Sequence, residues 1–403
     1  MILAWARLRS SWVWLLILFT FSSFIETIFF GQLGAFTPLY LPRIGVRPEE
    51  VTLWTGIIAS VSGILGLPFL PFWGALADRY ARKPVIVRSF VVHLLTSLAC
   101  AAAGNVWIFL LGRTISSLAL GNSGLMLTTL AERAPSNRQG LAFSIMSSAS
   151  PIGVFIGPLV GGPIVDHQGL PTLLLIDGCL FLMVVLGLTF GYRDDFKGTD
   201  RGSLLHMALD SIKIILRSNR LKALFPALFL LFSGWMMALT YVPVAVSKLY
   251  QGQDQGTVVG LVLGAGGFVA LFVGPLVGLL ADRFGHWRVL LIGSGLAVLL
   301  WPLPGLVVGL LAFGTAWAAI NGLTSGVFSI SFNVLSSSTS SEVRGRVMSF
   351  AYLPVNVGII LGPSIGSLVT RSSVFAVFPT AAVLTAFGVG LLVIAKNRAS
   401  SAT

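Results

Sequence analysis

Apolar residues in this 403-residue chain run together in long stretches, and most charged residues fall in the short turns between them. A helix rises about 1.5 Å per residue, so about 20 apolar residues cross the ~30 Å hydrocarbon layer of a bilayer. Inside lipid a backbone must satisfy its own hydrogen bonds, which leaves helices or a closed barrel. Barrel strands alternate apolar and polar positions. These runs do not alternate, so helices are predicted. The N-terminal half divides into spans at 12–36, 51–73, 84–103, 106–130, 140–165 and 170–190, numbered 1 to 6. The C-terminal half repeats the pattern at 223–247, 257–281, 288–303, 306–335, 347–369 and 374–395, numbered 7 to 12. Pro38 is expected to mark the outer end of span 1, and Gly104-Asn105 leaves a minimal outer loop between spans 3 and 4. The first run continues past Phe36 without a small-residue cleavage pattern, so it reads as a span and not as a removed signal.

One polar stretch is long, and it divides the chain. The expected domains are an N-terminal six-helix bundle (1–190), a cytoplasmic central loop (191–222) and a C-terminal six-helix bundle (223–403). Within the central loop Leu204, Leu205, Ala208, Ile212, Ile215 and Leu216 recur at helical spacing, opposite His206, Asp210, Lys213 and Arg217. That is an amphipathic helix, lying on the membrane surface or packed on the protein as a linker.

Composition agrees with the pattern. Only 10% of residues are charged and 55% are hydrophobic, against about 25% charged in a soluble domain. A net charge of +12 would suit nucleic acid if it formed a patch. Of the 26 Lys and Arg, however, only Arg43, Arg47, Lys248 and Arg371 fall on the opposite side of the membrane from the rest, and Arg113 lies within a span. This is the positive-inside asymmetry, so both termini read as cytoplasmic and no nucleic-acid partner is expected. Cys100 and Cys179 both lie in spans and have no disulfide or metal-ligand spacing. His167, His206 and His286 are too scattered for a metal site. No cofactor is expected, and no nucleophile–base pair or phosphate loop suggests an enzyme.

Two motifs occur twice. Gly74-Ala75-Leu76-Ala77-Asp78-Arg79-Tyr80-Ala81-Arg82-Lys83-Pro84 returns 204 residues later as Gly278-Leu279-Leu280-Ala281-Asp282-Arg283-Phe284-Gly285-His286-Trp287-Arg288. Gly153-x-x-x-Gly157-Pro158-x-x-Gly161 returns after 205 residues as Gly358-x-x-x-Gly362-Pro363-x-x-Gly366. These residues resemble the major facilitator superfamily, most closely its twelve-span bacterial drug:proton antiporters. The resemblance implies an all-α integral membrane protein of two six-helix bundles, related by a pseudo-two-fold axis along the membrane normal. It also implies a multi-pass protein of the bacterial inner membrane, powered by the proton gradient and acting as a monomer. The first copy of the loop motif has Ala81 where the family usually has Gly, and the second has His286 and Trp287 in place of Arg and Lys.

Charge inside hydrocarbon costs roughly 2.5–3.5 kcal/mol at a helix centre on insertion scales, so each such residue needs a partner, a cavity or a proton. Three qualify: Glu26, Arg113 and Asp177. Glu26 lies about 20 Å from the cytoplasmic end of span 1, near the midplane. Phe29 and Phe30 stand one turn outward and Ser22 and Ser23 one turn inward. The rings favour the protonated acid, while a hydroxyl donating to the carboxyl favours the anion. Desolvation is expected to win, because the hydroxyls can bond carbonyls of their own helix. The alternative is a structural Glu hydrogen-bonded by those serines. Arg113 must stay paired or wet. The resemblance places spans 1, 4, 7 and 10 around the central cavity and an arginine of span 4 in proton translocation, although Ser117 stands where the family has Gly. Glu26 and Arg113 are therefore expected to pair as the proton-coupling residues, or else to form a structural salt bridge. Asp177 reads as a structural hydrogen bonder and His93 as a satisfied packing histidine.

The second half has no charge well inside its spans, only aromatic and amide groups. Trp317, Asn321, Thr324 and Phe328 share one face of span 10, and Phe232, Trp235, Leu239 and Pro243 share one of span 7. With Phe30 from span 1 and Asn356 from span 11, Trp235, Trp317, Asn321 and Thr324 make the expected substrate cavity; helix packing is the competing explanation for the aromatic stripes. Such a lining suits amphiphilic organic molecules better than phosphates or sugars. In the repeat loops, Gly74, Asp78, Arg79 and Arg82, and Gly278, Asp282 and Arg283, read as cytoplasmic gates. The resemblance implies that Asp78 faces Gly345 and Asp282 faces Gly140. The stripe Gly153, Gly157, Pro158 and Gly161 is expected to meet Gly260, Gly264 and Gly267 of span 8; Gly358, Gly362 and Pro363 of span 11 are expected to meet Gly63 and Gly66 of span 2. A proton-coupled exporter of amphiphilic drug-like or metabolite molecules fits these features. A sugar or small-metabolite facilitator or symporter, and a lysolipid flippase, remain as alternatives.

Overall fold

A computed structural model describes residues 11–66, 81–119, 122–194, 215–339 and 353–400. The described residues are helices joined by short turns, with no strand among them. In chain order the helices are α1 (Trp12–Tyr40), α2 (Val51–Ile64), α3 (Arg82–Ala101), α4 (Val106–Ile115), α5 (Asn122–Arg133), α6 (Gln139–Gly191), α7 (Leu221–Leu249), α8 (Gln255–Phe284), α9 (His286–Leu300), α10 (Leu310–Ser337), α11 (Leu353–Val369) and α12 (Val377–Ser400). Among the described residues, eight helical segments are long and apolar enough to cross a bilayer. The protein is an all-α membrane protein. The amphipathic segment expected in the central loop falls mostly on 195–214, outside the described residues, as do Gly74, Asp78, Arg79 and Gly345.

Glycine and proline account for the departures from the span pattern. Pro38 lies inside α1, which continues to Tyr40 and a 3-10 turn before Gly45 (φ 89°) stops it. Span 4 is two helices: α4 passes into a 3-10 turn at Ser116–Ala119, and α5 resumes at Asn122. Spans 5 and 6 run on as α6, 53 residues long, which turns at Gly169 (φ 83°, ψ 162°). Leu173 thereby returns against Gly161, giving two arms, 139–168 and 170–191. Span 9 ends at Leu300; Pro302, Pro304 and Gly309 (φ 90°) delay α10 to Leu310.

Lipid tails are as apolar as leucine, so close packing of small residues and hydrogen bonds must hold helices together. The glycine stripe of α6 meets α1 of its own half, not α8 as expected from the sequence: a Cβ on Gly157 would come 2.6 Å from the Ile28 carbonyl oxygen. Gly358 and Gly362 likewise lie against Phe232 and Ser233 of α7. Contact between the halves is made by the flanking residues. Phe155, Pro158, Leu159 and Gly162 receive Gly256, Gly260, Gly264 and Gly267 of α8, while Ile360 and Pro363 receive Gly63 and Gly56 of α2. Ser60 Oγ adds a 2.8 Å bond to the Ile360 carbonyl.

Candidate functional site

Glu26 sits midway along α1 with 8% of its surface exposed. Its carboxylate has two partners from other helices. Oε1 lies 3.1 Å from His93 Nε2 on α3, and Oε2 accepts from Asn122 Nδ2 on α5 at 2.8 Å. The break in span 4 matters here, because it brings Asn122 into the first turn of α5. The serines do not serve Glu26: Ser22 Oγ donates to the Leu18 carbonyl at 2.7 Å, and Ser23 Oγ has no partner among the described residues. The rings expected beside the acid surround its partner instead. Phe29 and Phe30 meet the His93 ring edge-on at 5.9 and 5.2 Å, and Phe181 from the second arm of α6 stacks on it at 5.3 Å. His93 is therefore no ordinary packing histidine. One nitrogen faces Glu26, and Nδ1 has no hydrogen-bond partner among the described residues.

Arg113 does not join this group. It is buried on α4, near Cys100 of α3, and its Nε and Nη1 have no partner among the described residues. Asp177 is buried on the second arm of α6, and its Oδ2 is unpartnered in the same sense, which leaves that oxygen without the structural bond expected of it.

The residues expected to form the cavity separate into two groups. Trp235 Nε1 donates to Asn321 Oδ1 at 3.0 Å, joining α7 to α10, and Phe328 packs edge-on against Trp235. Phe30 is 41% exposed, and Asn356 is half-buried. Trp317, by contrast, is fully buried with its indole against Gly266 of α8, and Thr324 Oγ1 donates to the Ile320 carbonyl of its own helix. Trp317 thus builds the pairing of α10 with α8, and Thr324 is bonded within α10.

At the helix ends that adjoin the repeat loops, Arg82 grips Glu132 of α5 with two bonds of 2.6 and 2.7 Å. That hydrogen-bonded guanidinium holds the Glu132 carboxyl below the usual carboxylate range. Asp194 accepts from the Arg82 and Lys83 backbone amides, capping α3. Asp282 does not reach Gly140: it meets His286, one turn on, at 3.3 Å, and among the described residues nothing lies within 4 Å of a Cβ on Gly140. Arg283 lies over the ring of Phe284, its neighbour in sequence, and space around Gly278 is open.

A latch that the sequence did not reveal joins the halves at the opposite helix ends. Asp166 of α6 accepts from the Gly256 and Thr257 backbone amides and from Thr257 Oγ1, each at 2.7 Å. The carboxylate thus caps the N-terminus of α8, where orphan amides and the helix dipole favour an anion. Tyr241 adds a second tie, its hydroxyl reaching the Pro363 carbonyl at 2.9 Å and the Thr52 carbonyl of α2 at 3.2 Å. Asp166 directly follows the end of span 5, beyond the repeated glycine motif, and that position is the signal that could have marked it.

Among the described residues no group of three or more His, Cys, Asp or Glu is placed to hold a metal. A family model described as Major Facilitator Superfamily matches residues 15–301 and again 255–403. A relative named "Multi-drug resistance efflux pump PmrA homolog", from Lactococcus lactis subsp. lactis (strain IL1403), is 28% identical over 356 residues, covering 84% of each chain. The "Multidrug resistance protein MdtG" of Rahnella sp. (strain Y9602) is 28% identical over 376 residues, covering 91% of this chain and 90% of its own. Among solved structures, the nucleoside transporter NupG superposes with a TM-score of 0.75 at 15% identity, over 95% of this chain and 98% of that one. A bacterial homolog of the human lysosomal transporter Spinster, inward-facing and unoccupied, gives 0.72 at 14%, over 96% and 95%. The last two likenesses concern the fold alone.

Proposed function

This chain belongs to the major facilitator superfamily, and on that premise we propose a proton-coupled exporter of amphiphilic drug-like or metabolite molecules. It is a transporter and not an enzyme. It works by alternating access, with the bundles 1–190 and 223–403 rocking against each other in a bacterial inner membrane. The protein acts as a monomer with both termini in the cytoplasm. Two relatives are named as multidrug proteins, which favours export over the uptake of a sugar or small metabolite.

The observation that carries the coupling is the company Glu26 keeps. Its partners are a histidine and an amide, and no Arg or Lys side chain bonds to it among the described residues. A buried carboxylate without a cationic Arg or Lys partner is costly even when hydrogen-bonded, and a proton from outside relieves that cost. Loss of that proton to the cytoplasm resets the site. One charge moving through 100 mV supplies about 2.3 kcal/mol, enough for roughly fiftyfold accumulation. Phe30, Trp235, Asn321 and Asn356 present the apolar surface and few polar atoms that amphiphiles need. Glu26→Gln, assayed in everted vesicles with a panel of cationic, neutral and anionic dyes, is expected to lose proton-driven export while the protein remains folded. Export at the wild-type rate would refute the assignment.

A further inference from the structure

His93 is a buried ionisable group that coupling through Glu26 leaves without a task. It lies within α3 with no exposed surface, Nε2 toward Glu26 and Nδ1 unpartnered among the described residues. A buried polar atom without a partner costs about 1–3 kcal/mol. A phenyl ring would fill the cage of Phe29, Phe30, Phe90 and Phe181 without that cost. Packing therefore does not account for an imidazole at this position. The cage has one thin side: Phe29, Phe90 and Phe181 are fully buried, whereas Phe30 is the exposed ring.

Resting on the reading of Glu26 as the coupling acid, we propose that His93 is the relay through which Glu26 takes up and returns its proton. With Glu26 ionised, the neutral imidazole carries its hydrogen on Nε2 and donates it to Oε1. A proton arriving past Phe30 bonds to the Nδ1 lone pair. The Nε2–H bond then breaks as an Oε1–H bond forms, and the electron pair stays on Nε2. The products are a neutral carboxylic acid and a neutral imidazole protonated on Nδ1. Release runs through the same steps in reverse. Asn122 donates to Oε2 in both states and keeps the carboxyl in register. Away from the helix ends, three other charged groups lie on α3 or the helices around it: Asp177 on α6, Arg113 on α4, and Arg88 on α3 itself, which bonds Ser89; Arg82 and Lys83 of α3, Glu132 and Arg133 of α5, and Asp166 and His167 of α6 stand near helix ends or turns. None of them bonds to the His93 ring.

The test needs no identified substrate. The full-length protein in liposomes is given a pH jump, and the carboxylic C=O infrared band that Glu26→Gln removes is followed in time. His93→Gln keeps an N–H donor for Oε1 and cannot accept a second proton. It is expected to slow the response of the Glu26 band at least tenfold. A smaller slowing overturns the relay, because a residue that only positions Glu26 is replaced by the amide. If Glu26 titrates normally and His93→Gln leaves its rate unchanged, the relay alone falls; if no Glu26 band titrates in the wild type, the coupling reading falls with it. Should His93→Gln fail to fold, His93→Asn takes its place. Failure of both marks the ring as structural and also overturns the proposal.

Discussion

In the first half of the chain Gly157 comes against the Ile28 carbonyl, and in the second half Gly362 comes against the Ser233 carbonyl; each leaves 2.6 Å for a Cβ. Both pairs are related by the 205-residue repeat. Gly161 against Phe36 and Gly366 against Tyr241 follow the same register, as do the Pro158 carbonyl over Gly260 and the Pro363 carbonyl over Gly56. The scaffold is therefore symmetric almost residue for residue, but its chemistry is not. At the same offset Glu26 corresponds to Leu231, His93 to Ala297 or Val298, Asn122 to Gly326 or Val327, Arg113 to Trp317 or Ala318, and Asp177 to Ala382. Each of these residues inside the spans of the first half has an apolar counterpart in the second, whereas buried Arg82, at a helix start, corresponds to His286. Packing restrains both halves alike, because both must let helices approach closely without help from water. The buried charges described inside the spans thus lie in one half, and under the proposed function the other offers Trp235 and Asn321 to a ligand.

Four experiments sharpen or break this comparison. The largest effect is expected from moving the acid: Leu231→Glu in a Glu26→Gln background should leave proton-driven export at the level of Glu26→Gln alone. Its site offers no counterpart to His93 or Asn122. Recovery of export would mean that the asymmetry is incidental. Next come the paired glycines. Gly157→Val and Gly362→Val should each lower stability by about 1–3 kcal/mol, as overpacking does, and by similar amounts in thermal unfolding. A large difference would break the scaffold symmetry. Trp235→Phe removes one hydrogen bond, about 1 kcal/mol, so apparent dye affinity should fall several-fold with the pH dependence of export unchanged. The smallest change is Arg82→Lys, which loses the two-pronged grip on Glu132 and should shift melting by under about 1 kcal/mol at neutral pH. Because the Glu132 carboxyl titrates below its ordinary value, this contribution is present above the unfolded-state value. It disappears as the pH falls through the lowered one, so wild type and variant should melt alike in acid.

The all-helical membrane character was legible because each crossing demands a long apolar run, and the repeat was legible because close packing restricts which residues can stand at Gly157 or Pro363. Pro38 misled, since a proline within a membrane helix can be tolerated when neighbouring groups compensate. Glu26 was legible from depth alone. Its partners were not: His93 is 67 residues away and Asn122 is 96 residues away, and only the docking of α3 and α5 on α1 selects them over the nearby serines or Arg113. Asp166 was missed because a carboxylate at a helix end reads as ordinary solvation until a second helix N-terminus is found against it.

The rings around His93 bear on what a resting transporter does to its cell. A group that exchanges hydrogen ions in mid-membrane, open to both faces at once, would short-circuit the voltage that every other pump in that membrane depends on. Three of the four surrounding phenyls are sealed and Phe30 alone is open, so the insulation fails on one side only. Under the proposed scheme, idle copies of the protein leave the membrane charged.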